Sequence, residues 1–156
     1  MGVGVNRIGT DKLIASLKAA TGPDRALDGR IWAEINGRDV SIEWCEYWDR
    51  NGLLAKSRTQ PYDECVVGVF GRGDDTNFYT VGQSNPPSKY TASIDAALTL
   101  VPEGWHWRID STNSAAIAKN ESGYQLEYGV ADFSADGATP AIAICIVALQ
   151  VMRMAA

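Results

Sequence analysis

Hydrophobic positions change their spacing several times along the chain, and each spacing predicts an element. Leu13, Ile14 and Leu17 recur at helical intervals, with Thr10 placed to cap the helix and Asp11 near its positive end. Gly22 and Pro23 break that helix. A second follows, in which Leu27, Ile31 and Ile35 repeat every four residues beside Trp32, until Asn36-Gly37 closes it. Two short helices joined by a Gly-Pro elbow predict a helical hairpin.

From Val40 to Trp48 the pattern turns to alternation. Ile42, Trp44, Glu46 and Trp48 share one face of a predicted strand; Ser41, Glu43, Cys45 and Tyr47 share the other. Asp49-Arg50-Asn51-Gly52 carries the Asn-Gly signal of a hairpin turn. A further strand is expected over Cys65 to Phe70, then a loop-rich span from Gly71 to Lys89 with a short strand at Phe78 to Val81. Ile94, Leu98 and Val101 form another helical stripe, capped by Ser93 or Thr91, with Asp95 in its first turn. Pro102-Glu103-Gly104 stops it. Trp105, Trp107 and Ile109 then alternate with His106, Arg108 and Asp110, and after a polar loop Tyr124, Leu126, Tyr128 and Val130 predict the pairing strand. Thr139-Pro140 sets up a last helix, apolar from Ala141 to Met154 except at Gln150 and Arg153. That run falls short of the about 20 apolar residues that span a bilayer. A helix apolar nearly all round belongs in the centre of a core or under another subunit.

The 156 residues suit one domain, 1–156, and the 46% hydrophobic and 21% charged content suits a packed core. Five Trp and six Tyr supply large surfaces with polar tips, for core or interface. The net charge of −5, from 14 basic and 19 acidic residues, comes with no basic run. Nucleic acid is therefore not an expected partner, and the carboxylates are too few for a DNA mimic. With no secretory signal and no membrane segment, the reading places the chain in the cytoplasm.

Candidate chemistry is sparse. Cys45, Cys65 and Cys145 are irregularly spaced, with no C-x-x-C pair, so neither a metal site nor a redox site is expected. His106 is the sole histidine, and with Arg108 and Asp110 it forms a polar row that either lines a cleft or faces solvent. Asp74-Asp75 lies in a glycine-rich stretch that predicts a turn. No P-loop, dinucleotide fingerprint or nucleophile elbow is present. No catalytic, cofactor-binding or metal residue is assigned. The aromatics Trp44, Tyr47, Trp48, Trp105 and Trp107 share space with Glu43 and Glu46, which resist burial, so part of this set is expected at the surface.

Three segments, Leu13 to Asp28 (LIASLKAATGPDRALD), Tyr90 to Trp107 (YTASIDAALTLVPEGWHW) and Ala138 to Leu149 (ATPAIAICIVAL), together resemble the phage ABA sandwich domain family of bacteriophages and prophages. The resemblance implies a phage origin and an α/β/α layered sandwich, and no activity or site residues. With the strand pattern, the expected fold class is α/β, a layered sandwich on a small, mostly antiparallel sheet, with residues 38–89 as a loop-rich insertion. The expected function is a non-enzymatic phage accessory protein in the host cytoplasm that binds a protein partner or itself. The alternative is a small-molecule binder or small hydrolase around His106, Arg108 and Asp110.

Overall fold

The computed structural model describes residues 7–60, 62–71, 74–82, 86–110, 112–119 and 131–155. Helix α1 (Arg7–Ala19) and helix α2 (Arg25–Ile35) form the predicted hairpin. Asp24 caps α2, its carboxylate accepting from the N–H groups of Ala26 and Leu27 at 2.8 and 3.1 Å. Asn36 ends it, followed by Gly37 at φ 69°. Helix α1 departs from expectation by starting at Arg7, so Thr10 sits inside the helix instead of capping it. The reason is tertiary: Thr10 is fully buried, and its hydroxyl donates to the Glu34 carboxylate of α2 at 2.9 Å.

Residues 38–89 hold more regular structure than a loop-rich reading predicts. Strands β1 (Arg38–Cys45), β2 (Arg50–Ser57), β3 (Glu64–Gly71) and β4 (Asp74–Thr80) form one antiparallel sheet in that order. The Asn51-Gly52 turn is a correction. Cys45 lies opposite Arg50, so the chain reverses over residues 46–49, with Asp49 at φ 54°. Gly52 is a strand residue kept small by packing, since a Cβ there would lie 2.8 Å from the Cys45 sulfur and 3.0 Å from the Gly68 carbonyl oxygen. The β2–β3 register slips between Leu53 and Leu54, with Val67 of β3 as the extra residue, while β2 pairs with β1 without interruption. Asp74 and Asp75 belong to β4, where Asp74 lies opposite Gly71; the rest of the predicted turn lies outside the described residues.

Helix α3 (Ile94–Leu98) is capped by Ser93, which leaves Val101 beyond it. A second antiparallel sheet contains β5 (Trp105–Ile109), β6 (Ser114–Lys119) and β7 (Phe133–Asp136). The partner of β5 is β6, in the stretch read as a polar loop; the expected strand over Tyr124 to Val130 lies outside the described residues. Serine and alanine give β6 little strand propensity, yet Ala115 and Ile117 are buried in the core.

Helix α4 (Pro140–Ala155) is the predicted apolar helix, with the Thr139 hydroxyl accepting from the Ile142 N–H at 3.2 Å. It packs on β6 and β7 on one side and on α1 and α3 on the other, and its residues 141–149 are all buried. Among the described residues no helix is long and apolar enough to cross a membrane. Helix α2 covers the four-stranded sheet. The chain is thus a mixed α/β protein whose helices pack against two small antiparallel sheets. Two buried clusters result, a large one around α4 and a small one of Ala33, Leu53, Ala55 and Val67, with Trp32 packed against both.

Candidate functional site

A surface cleft lies where the helical hairpin meets β1. Lys12 of α1, Arg30 and Glu34 of α2, and Asp39 and Ile42 of β1 line a cleft of about 570 Å³. A second depression of about 520 Å³, with Leu27 and Phe70 in its lining, shares Arg30 and Ile42 with this groove. Most charges in the groove are already engaged. Glu34 accepts from Thr10 and, at 2.8 Å, from the Arg58 guanidinium, which also reaches Asp39 at 2.8 Å. Arg38 pairs with Asp63 at 2.9 Å and lies over the Trp32 ring. This network ties α1, α2, β1 and the end of β2 together, and reads as scaffold. Lys12 and Arg30 form no ion pair among the described residues.

The edge of β1 follows from its hydrogen bonds. The Arg58 N–H donates to the Gly37 carbonyl at 3.0 Å, so the bonded pairs continuing into the ladder are Asp39 with Lys56, Ser41 with Leu54, and Glu43 with Gly52. The main-chain N–H and C=O groups of Arg38, Val40, Ile42 and Trp44 therefore point away from β2, toward the side where, among the described residues, no strand pairs with β1. By the period of two, the side chains of these same residues face the helices. Helix cover fails before the strand ends: Ile42 is 53% exposed and Trp44 58%. In the following turn Tyr47 is 88% exposed and packs edge-on against Trp48, at 4.8 Å between centroids.

The predicted aromatic set is thus divided. Trp44, Tyr47 and Trp48 gather at one end of the four-stranded sheet, whereas Trp105 and Trp107 belong to the other sheet. There Trp105 packs toward Phe133, 6.1 Å between centroids, and Trp107 is half-exposed. The row of His106, Arg108 and Asp110 lies at the surface. The Asp110 carboxylate is occupied by its own turn, accepting from the Thr112 N–H at 2.9 Å, the Thr112 hydroxyl at 2.7 Å and the Ser114 N–H at 3.2 Å. The Thr112 hydroxyl, with these N–H groups behind it, holds the Asp110 carboxyl below its ordinary value. None of the three cysteines is in a disulfide. Burial, with Asp28 adding to it, pushes the Cys145 thiol up to about 12, which leaves it without thiolate character at neutral pH.

Sequence reasoning located Ile42 and Trp44 on one face of a strand and saw that nearby glutamates resist burial. It missed the groove, because Lys12 and Arg30 meet β1 only through the folded hairpin, and neither residue has any local signature. Compared with known proteins, the chain matches no family model, no curated protein and no solved structure. The family resemblance of the three segments, and the phage origin it implies, rest on those segments alone.

Proposed function

We propose that this chain is a non-enzymatic phage or prophage accessory protein, working in the host cytoplasm as an interaction module that holds a protein partner along the free edge of β1. The observation that carries the reading is the coincidence, on one strand, of outward-pointing main-chain groups with the exposed side chains of Ile42 and Trp44. Soluble proteins normally shorten, charge or cover such an edge, because it pairs readily with another chain. Exposed aromatic and aliphatic side chains beside a groove are also the typical anchors of protein interfaces. The alternative site at His106, Arg108 and Asp110 gains no comparable support, since one of its three groups is taken up by its own turn.

Site-specific photo-crosslinking tests the proposal. A photoreactive residue at Trp44, irradiated in a bacterial lysate containing the expressed chain, is expected to yield covalent adducts with a protein, its own copy included. The same group at His106 should yield none above background. Absence of adducts at Trp44, or equal labelling at both positions, overturns the reading.

A further inference from the structure

We infer that the partner along β1 is a second copy of this chain, added antiparallel about a twofold axis at Ile42 so that two four-stranded sheets become one continuous sheet. This rests on the reading of the β1 edge above and specifies its occupant. β1 is the longest edge strand among the described residues, with eight residues against seven in β4, five in β5 and four in β7.

The register follows from charge and shape. An axis at Ile42 keeps the outward-facing residues in bonded pairs: Ile42 meets Ile42 of the partner subunit, and Val40 meets the partner's Trp44. The apolar stripe of one copy is then completed by the apolar stripe of the other. Just past the strand end, the same register brings the partner's Glu46, the first residue of the turn, toward Arg38, which already pairs with Asp63. On the other face, Ser41 meets the partner's Glu43 and Asp39 meets the partner's Cys45, so no like charges oppose each other. The neighbouring axes fail on this count. Centring on Ser41 sets Asp39 against the partner's Glu43, and centring on Glu43 sets that glutamate against its own copy. Axes at Val40 and Trp44 oppose no like charges within the strand, but they set Arg38 against the partner's Ile42 and Ile42 against the partner's Glu46. Only the axis at Ile42 matches apolar with apolar along the outward row, a self-complementarity that binding an unrelated peptide would not require.

Sedimentation of the full chain tests this from about 1 to about 500 µM, a range that brackets a weak interface built mainly on one strand. A reversible dimer is expected. Ile42→Lys, placing two cations across the axis, should weaken it by about tenfold or more. Ser41→Lys, facing the partner's Glu43, should tighten it about two- to fivefold. Tyr79→Lys on β4 should leave it unchanged. Hydrogen exchange at the amides of Val40, Ile42 and Trp44 should slow as the dimer fills. A monomer at every concentration, or a dimer indifferent to both β1 substitutions, overturns the inference. If the chain stays monomeric while Trp44 still crosslinks to a different protein, the second copy is ruled out and the interaction module stands. If Trp44 yields no adduct at all, both fall.

Discussion

The two hydrophobic clusters differ in how completely they are enclosed. Around α4 the apolar residues are covered on both sides, by β6 and β7 and by α1 and α3, and a continuous run of α4 is buried from Ala141 to Leu149. Between α2 and the four-stranded sheet the buried cluster among the described residues is small, Ala33, Leu53, Ala55 and Val67, and the row Val40, Ile42, Trp44 becomes exposed toward the β1–β2 turn. Burial scales with the area removed from water, so the first region carries the larger share of the folding free energy. The second has apolar surface and main-chain groups left over. The less enclosed sheet is the one on which the interaction site is proposed.

Truncation should break this contrast most severely at α4. Ile146 is fully buried at the centre of the large cluster, and Ile146→Ala is expected to cost about 4 kcal/mol. Leu53→Ala, equally buried but under a single helix able to settle onto the gap, should cost about 2 kcal/mol. Denaturant unfolding of both variants measures the ordering, and an equal or greater loss at Leu53 would contradict it.

The cysteines sharpen the comparison, because Cys45 and Cys65 lie in the four-stranded sheet and Cys145 in α4. A maleimide at neutral pH should label the first two through local opening, and Cys145 only on global unfolding. The raised Cys145 pKa also has a sign. Stability is fully present below the thiol's ordinary value of 9.0 and is lost as pH rises toward about 12, because only the unfolded thiol ionises in that window. Cys145→Ser should flatten the alkaline limb of a plot of melting temperature against pH. The smallest effect belongs to Asp110. Its lowered pKa contributes stability above its ordinary 3.8, lost as pH falls through the folded value, so Asp110→Asn should remove part of the acid limb and little else.

How legible each element was depended on whether its cause is local. Pro140 behind Thr139, and Asn36-Gly37 after a four-residue repeat, act through their immediate neighbours, and α4 and the end of α2 appear where such signals place them. Thr10 carries a capping residue's chemistry but spends its hydroxyl on Glu34, 24 positions away. β2 was obscured by Asn51-Gly52, a turn signal that falls inside the strand, and β6 by serine and alanine, whose strand propensity is low. Asp28 shows the same limit: fully buried, it binds Arg25 three positions ahead and also the Thr91 N–H and hydroxyl, 63 positions on. The groove joins α1 to β1, and no pattern within either segment announces the other.

The position of α4 at the far end of the described residues also sets an order of events. Its contacts with α1 join residues such as Asp11 and Arg153, 142 positions apart. Closing so long a loop is slow, whereas the β1–β2 and β3–β4 hairpins close over a few residues. During refolding the four-stranded sheet should therefore gain its pairing early, while the larger cluster waits for the two ends to meet. For that interval the free edge of β1 is offered to neighbouring chains before the rest of the molecule is built. A rate-limiting step set by the α1–α4 encounter would leave refolding yield sensitive to protein concentration.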